Sequence, residues 1–137
     1  MNFDEKLDIS ALINASKAYS KPVSEAGELD EKFYETYRSA MIKHFEVCFE
    51  LCWKFMQRWL KYEELAAFEA SYSKKDIFRL AHRKGLISDA MLWFEYLDIR
   101  NRTAHTYDEK TAEEVFSMSK KFFHDFKRFI VEMEKRI

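Results

Sequence analysis

The clearest pattern in the chain is an apolar repeat with three- and four-residue spacing that continues over about thirty residues. This spacing predicts one long helix from about Glu31 to Tyr62, with Asp30 as its N-cap. The apolar positions of the repeat are Phe33, Tyr37, Ala40, Met41, His44, Phe45, Cys48, Leu51, Cys52, Phe55 and Trp59. A second apolar line on the same helix is formed by Val47, Phe49, Trp53, Met56 and Leu60. Together they form a face broader than one bundle core needs, which favours contact with a second subunit.

A shorter helix is predicted before it, from about Asp4 to Tyr19. Its apolar stripe is imperfect and consists of Leu7, Ala11, Ile13, Ala15 and Ala18. The following segment, Lys21–Leu29, contains Pro22 and Gly27 and is predicted to be a loop. Residues 63–71, after the long helix, fit either a continuation of that helix or a loop.

Capping residues mark both ends of a third, short helix. Ser73 and Asp76 resemble a capping pair and predict a helix over Lys74–Lys84, with Gly85 as the left-handed residue that ends it. This helix carries a basic cluster of Lys74, Lys75, Arg79, His82, Arg83 and Lys84. Such a cluster could contact RNA phosphate, but it is more typical of a solvated face.

Two more helices are predicted from capping residues. Ser88 and Asp89 can cap a fourth helix that runs from Ala90 to about Asn101. Thr111 and Glu114 form a T-x-x-E capping box for a fifth helix that continues to the C-terminus. Helical spacing in this last helix is kept by Val115, Met118, Phe122, Phe126, Phe129 and Met133.

Composition supports an all-helical fold. Hydrophobic residues make up 47% of the chain, which supplies ample core material, whereas only 2 Gly and 1 Pro are present. A sheet protein with several hairpins normally places more Gly and Pro in its turns. We therefore predict an all-α, up-and-down bundle of about five helices with a four-helix core, as a single domain over residues 1–137.

Charge and cysteine content indicate which partners and which cellular compartment the protein is expected to have. The 23 basic and 24 acidic residues give a formal net charge of −1, so the chain lacks the broad basic field of a general nucleic-acid binder. Two cysteines, no signal-peptide pattern and no apolar run of about 20 residues predict a soluble cytoplasmic protein without membrane contact. The chain has no glycine-rich phosphate-binding pattern, so we expect no cofactor.

One segment, Arg100–Tyr107, concentrates residues suited to chemistry where an apolar helix ends. A histidine such as His105 can accept and donate a proton near neutral pH. Arg100 can grip a phosphate and stabilise charge that develops on it. Asn101 can orient either group, and Tyr107 offers a hydroxyl close by. These parts suit attack of an RNA 2′-hydroxyl on its neighbouring phosphate without a metal ion.

Spacing alone leaves a plainer interpretation open. On a continuous helix Arg100 and His105 would lie about 140° apart, so they would share no face. They could converge if the helix loosens near Thr103, or if a second copy of the chain faces the first. Basic residues also favour a helix C-terminus simply because of the helix dipole, and the residues by themselves favour that structural role.

The chain resembles the HepT-like group of HEPN-domain toxins. Arg100-x4-His105-x-Tyr107 matches their R-x4-H-x-Y motif, and two further stretches, Phe45–Lys54 (FEVCFELCWK) and Gly85–Asp89 (GLISD), are similar to the same family. Helix number and order also fit, so the resemblance spans nearly the whole chain.

This resemblance implies a helical homodimer whose motifs meet across the subunit interface and form a metal-independent ribonuclease site acting on RNA. Arg100 and His105 would be catalytic, with Asn101 supporting them. It also implies a partner, a minimal nucleotidyltransferase antitoxin, which transfers AMP from ATP to Tyr107 and so blocks the site. The alternative within the same resemblance is a non-catalytic substrate-binding subunit of a two-component nucleotidyltransferase.

Other candidate sites have structural interpretations. His44, Cys48 and Cys52 span about 12 Å of helix, too far to share one zinc ion, so we expect them to pack in the core or an interface. Glu46 and Glu50 lie one turn apart and are more typical of a solvated or dimer-facing edge than of an acid–base pair. His124, among lysines, is predicted to lie on the surface.

Overall fold

The computed structural model describes residues 8–25, 33–64 and 72–137. Within these ranges the chain contains no strand, which confirms the predicted all-α fold. The helices are α1 (Ser10–Glu25), α2 (Tyr34–Glu64), α3 (Lys74–Arg83), α4 (Ala90–Arg102) and α5 (Glu109–Arg136), and a 3₁₀ turn, Thr103–His105, follows α4. None of the helices in the described ranges is both long and apolar enough to cross a membrane.

Helix α2 is the centre of the bundle, since it contacts α1, α3, α4 and α5. The second apolar line predicted on α2 is largely used inside the chain: Phe49, Met56 and Leu60 are fully buried, whereas Val47 is 44% exposed. A helix surrounded on several sides needs a wide apolar face. The width of this face is therefore explained within one chain and does not by itself indicate a second subunit.

An aromatic cluster fixes α4 against α2 and α5. The ring of Phe122 on α5 lies 5.1 Å from both Phe45 on α2 and Tyr96 on α4, in edge-to-face geometry. Trp93 meets the same phenylalanine at 5.6 Å. Such pairs add roughly 0.5–1.5 kcal/mol each beyond the burial of their surface. Because Tyr96 lies one helical turn before Arg100, this cluster sets the position of the candidate site.

The bounds of α1 differ from the predicted ones. The helix does not stop at Tyr19 but continues to Glu25 through Pro22, so the loop predicted to start at Lys21 is wrong for its first residues. Proline removes one intrahelical hydrogen bond, but packing on α2 and α5 outweighs that local preference. The predicted helix start near Asp4 lies outside the described residues.

The predicted apolar stripe of α1 was wrong in part: Ile13 and Ala15 pack against the core, as predicted, but the most deeply buried residues are others. Leu7 lies outside the described residues. Leu12 and Tyr19 are fully buried, whereas Ala11 and Ala18 are exposed. Tyr19 stacks on Phe123 with ring centroids 4.8 Å apart, and its hydroxyl donates to a backbone carbonyl of α5. One large aromatic ring buries far more surface than two alanines, so it determines which side of the helix faces inward.

The predicted start of α2 was close. The helix begins at Tyr34 and ends at Glu64, so the ambiguous segment after Tyr62 first continues the helix. Asp30, the predicted N-cap, and residues 65–71 lie outside the described residues. Phe33 is half exposed rather than buried.

Capping predictions for α3 and α4 were confirmed. Ser73 and Asp76 form a reciprocal capping box, and Gly85 has a φ angle of +79° after the end of α3. Asp89, rather than Ser88, caps α4 by accepting hydrogen bonds from backbone N–H groups of its first turn.

The capping box predicted for α5 was wrong. The helix starts earlier, at Glu109, because Asp108 accepts hydrogen bonds from both the backbone N–H and the hydroxyl of Thr111. Glu114 is unavailable for a cap, since its carboxylate pairs with Arg102. An aspartate is among the preferred N-cap residues, and here it replaces the threonine.

Candidate functional site at the end of α4

The backbone departs from α-helical geometry between Arg100 and His105. A continuous α-helix would place these two motif residues on different sides. Helix α4 ends at Arg102, and Thr103–His105 form a 3₁₀ turn. The backbone N–H of Asp108 then donates to the carbonyl of His105 at 3.1 Å, which completes the turn before α5. The loosening near Thr103 that the sequence left open is therefore present.

Arg100 is held at two of its nitrogens. One terminal nitrogen donates to the hydroxyl of Thr103 at 2.9 Å, and that hydroxyl donates to the Arg100 carbonyl at 2.7 Å. The Nε of Arg100 lies 3.3 Å from a carboxylate oxygen of Glu50 on α2, an ion-pair distance without hydrogen-bond alignment. Thr103 is buried, while 30% of the Arg100 side chain is exposed. The guanidinium is thus anchored but still reachable.

Glu50 is itself fixed by a neighbour. Its second carboxylate oxygen accepts a hydrogen bond from the indole N–H of Trp53 at 2.9 Å. The sequence placed Glu50 on a solvated or dimer-facing edge, and its contact with the motif arginine was missed. The one signal for it was its place in the FEVCFELCWK stretch that resembles the toxin family.

A shallow depression of about 310 Å³ opens beside the anchored guanidinium. Its lining residues are Lys43, Glu46, Val47, Glu50, Leu51, Lys54 and Arg100. The α2 members follow helical spacing and so form one face of that helix. Three cations and two carboxylates meet there, so the net charge of the depression is weakly positive.

His105 and Tyr107 form a second, exposed group. Their rings are 5.9 Å apart in edge-to-face geometry, and 86% of Tyr107 is exposed. Asn101 is also exposed. Within the described ranges no hydrogen bond or ion pair links Arg100 to His105. One chain therefore brings Arg100 together with Thr103 and Glu50, and His105 with Tyr107, without joining the two groups directly.

The cysteines of α2 have the structural role expected of them. Cys48 and Cys52 are buried free thiols. Burial raises the pKa of the Cys48 thiol to about 12 and that of Cys52 well above its usual value. Burial also lowers the pKa of His44. Among the residues that the structure describes, no group of three His, Cys, Asp or Glu side chains is placed to hold a metal ion.

The basic cluster of α3 is a largely solvated face, as predicted: all of its members are exposed except Lys74, which is half-buried. Lys74 lies over the ring of Trp53 at 4.9 Å, and Arg79 lies over Phe94 at 5.1 Å. Arg79 also pairs with Asp76 at 3.2 Å. These two cations therefore already make cation–π contacts, and Arg79 also makes an ion pair. His124 is exposed on α5, as predicted.

The chain is an all-α bundle with an arginine, a histidine and a tyrosine at or just after the end of its fourth helix. Comparisons with known proteins show the family to which this bundle belongs. The family model described as "Nucleotidyltransferase substrate binding protein like" matches residues 7–135. The chain belongs to this family.

One curated relative and two solved structures are similar to the chain. A Haemophilus influenzae protein named "Probable ribonuclease HepT" is 34% identical over 103 residues, which cover 74% of this chain and 70% of the relative. The fold is similar to that of a solved Haemophilus influenzae structure, which is described as revealing the fold of a substrate binding domain of a nucleotidyltransferase. It has a TM-score of 0.85 and 28% identity and covers 93% of this chain and 99% of that one. A crystal structure of a Thermus thermophilus protein has a TM-score of 0.70 and 30% identity, covering 87% and 98%.

Proposed function

We propose that this chain is the toxin of a toxin–antitoxin pair and acts as a metal-independent endoribonuclease. The observation that carries the proposal is the end of α4, where an anchored, partly exposed Arg100 precedes an exposed His105 and Tyr107. The similarity to a protein named a probable ribonuclease supports it.

The proposed reaction is attack of an RNA 2′-oxygen on the adjacent phosphorus. An imidazole of His105 takes the 2′-hydroxyl proton, the new P–O2′ bond forms, and the P–O5′ bond breaks. The 5′-oxygen leaves with a proton from an imidazolium, giving a 2′,3′-cyclic phosphate and a 5′-hydroxyl end. Arg100 stabilises the extra negative charge on the phosphoryl oxygens as the bond forms, and exposed Asn101 can orient the phosphate.

The proposed site is completed by a second copy of the chain. Within one chain Arg100 and His105 belong to two separate groups of contacts, and the resemblance to HEPN-domain toxins implies that motifs from two chains meet. In a two-fold symmetric homodimer each motif meets its own copy, so two arginines and two histidines surround one cleft. Two imidazoles then serve as base and acid in the same turnover.

Tyr107 is the proposed control point. Its phenol is 86% exposed, so a partner nucleotidyltransferase can reach it. The Tyr107 hydroxyl loses its proton to solvent as its oxygen attacks the α-phosphorus of ATP, and the new P–O bond joins AMP to the tyrosine. The bond between the α-phosphorus and the β-phosphate oxygen breaks, and pyrophosphate leaves. Because the His105 ring lies 5.9 Å from the Tyr107 ring, the added nucleotide would crowd the histidine and place a negative charge beside it.

Expression in bacteria without the partner tests the toxin proposal. We expect growth arrest with the natural chain and normal growth with Arg100→Ala or His105→Ala. His124→Ala is the matched control, since His124 is also an exposed histidine but lies on α5 away from the motif, and it should remain toxic. Immunoblots should show equal amounts of all four proteins.

A second candidate function is a non-catalytic subunit that binds substrate for a nucleotidyltransferase. The family description and the similar Haemophilus influenzae structure favour it. Normal growth with the natural chain and with both variants, together with complex formation with the partner, would support this function and contradict the nuclease.

A further inference from the structure

We infer that Glu50 is a positioning residue for Arg100, one that holds the Nε side of the guanidinium so that its remaining donors face the scissile phosphate. This inference rests on the proposed ribonuclease function. Glu50 lies on α2, whereas the other residues of the proposed site lie at or just after the end of α4.

The contacts form a continuous chain across two helices. Trp53 donates to one oxygen of Glu50 at 2.9 Å, the other oxygen lies 3.3 Å from Nε of Arg100, and Arg100 donates to Thr103 at 2.9 Å. A guanidinium has five N–H donors. Nε lies beside Glu50 in an ion pair and one terminal N–H is given to Thr103, so the other terminal donors are left for a ligand.

An arginine side chain that no neighbouring group orients is a poor catalytic group. Its side chain has several rotatable bonds, and confining it costs conformational entropy. When Glu50 and Thr103 hold two sides of the guanidinium, the side chain is already ordered in the folded protein. It therefore loses less conformational entropy when the transition state forms. The opposite charge of Glu50 also stabilises a cation that is two-thirds covered, since only 30% of its side chain is exposed.

Glu50 does not need to touch the substrate in this role. One of its oxygens accepts a hydrogen bond from the indole of Trp53, and the other lies in the ion pair with the arginine. Its effect on cleavage is therefore expected to depend entirely on the presence of Arg100.

Glu46 provides a matched control. It lies one turn earlier on α2, lines the same depression and is 24% exposed, close to the 29% of Glu50. Its cationic neighbour is Lys43, at 3.9 Å, whose side chain is 74% exposed. If removing a carboxylate acted only by changing the net charge of the depression, substitution of Glu46 and substitution of Glu50 should change cleavage equally.

The test compares RNA cleavage by Glu50→Gln and Glu46→Gln. We expect Glu50→Gln to lower kcat by about 10- to 100-fold with little change in KM, because a misplaced guanidinium weakens transition-state stabilisation more than binding. Glu46→Gln should stay within about twofold of the natural chain. Trp53→Phe, which removes the donor to Glu50, should give an intermediate loss.

A double-mutant cycle separates positioning from an independent effect. In an Arg100→Ala background, adding Glu50→Gln should cause no further loss of kcat, since the group it positions is absent. Additive losses, or equal losses in Glu50→Gln and Glu46→Gln, would overturn the inference.

The NMR signal of the Arg100 Nε–H gives a readout independent of turnover, and it can be assigned by its disappearance in Arg100→Lys. The signal should move in Glu50→Gln but not in Glu46→Gln, and an unmoved signal would overturn the inference. If the natural chain cleaves no RNA, the proposed function fails and the inference fails with it. If the natural chain cleaves RNA and Glu50→Gln cleaves it equally well, only the inference fails.

Discussion

Arg102, the last residue of α4, pairs with the carboxylate of Glu114 on α5. The pair closes the segment that runs between these two helices and carries His105 and Tyr107. Both partners are a little more than one-third exposed, at 37% and 39%. A pair of this kind contributes little to global stability, but it joins the two ends of a short loop and so restricts how the loop moves.

Glu114→Gln should loosen this segment without unfolding the protein. We expect the free energy of unfolding to fall by no more than about 1 kcal/mol. Backbone amides of residues 104–108 should exchange with solvent several-fold faster, while those of α2 should not change. Hydrogen exchange measured by mass spectrometry or NMR checks this, with the exposed Glu134→Gln on the same helix as control. Unchanged exchange at 104–108 would show that the pair does not restrain the loop.

Acid sensitivity is expected at the first turns of α5. Arg38 is 7% exposed and donates to both Glu109 and Glu113, while Tyr34 also donates to Glu113. The hydrogen bond from Arg38 lowers the pKa of Glu109, and those from Tyr34 and Arg38 lower the pKa of Glu113, both from an ordinary value of 4.5. The folded state therefore holds fewer protons than the unfolded state near that pH.

The sign of the pH effect follows from these lowered pKa values. The stabilisation is fully present above the ordinary carboxyl pKa of 4.5 and is lost as pH falls through the lower folded values. Glu113→Gln should thus weaken the fall in stability below pH 4.5, as measured by urea unfolding at about pH 7, 5 and 4. The same fall in the variant and the natural chain would contradict the assignment.

The aromatic cluster should dominate stability. Phe122 is fully buried and contacts rings from α2 and α4, so Phe122→Ala should lower the free energy of unfolding by about 3–5 kcal/mol. Val131→Ala on the same helix removes a half-exposed side chain and should cost less than about 0.5 kcal/mol. Chemical denaturation of both variants provides the comparison, and similar losses would contradict the assignment of the core.

Tyr107→Phe tests the proposed control point. The variant keeps the aromatic ring beside His105 but lacks the oxygen that would accept AMP. After incubation with the partner and ATP, the natural chain should gain the mass of one AMP per modified tyrosine, and the variant should gain none. In cells the variant should stay toxic even with the partner present. Modification of the variant would assign the AMP to another residue.

Local chemistry allowed much of the fold to be predicted. The ends of α3 and the start of α4 depend on local features. The side chains of Ser73 and Asp89 accept hydrogen bonds from backbone N–H groups within three residues, and Gly85 adopts a positive φ, so all three could be identified from the sequence. The predicted start of α5 was wrong because two residues could cap it, and Asp108 rather than Thr111 is the N-cap. Glu114, which the predicted capping box needs, pairs with Arg102 instead.

The candidate site was predictable only in part. The segment from Arg100 to Tyr107 stands out because polar residues interrupt an apolar helix. The contact between Glu50 and Arg100 joins residues fifty positions apart, and no local pattern reports such a contact. The burial of Tyr19 on α1 was missed for a similar reason, since Tyr19 gains its packing from Phe123 on α5.

Cleavage of RNA by the purified chain in the presence of a chelator tests the central claim most directly. We expect cuts that leave 2′,3′-cyclic phosphate ends, and we expect the rate to fall by at least about 100-fold in Arg100→Ala and in His105→Ala. The His124→Ala control should cut at the natural rate. No cleavage by the natural chain, or equal cleavage by the natural chain and the two motif variants, would contradict the account.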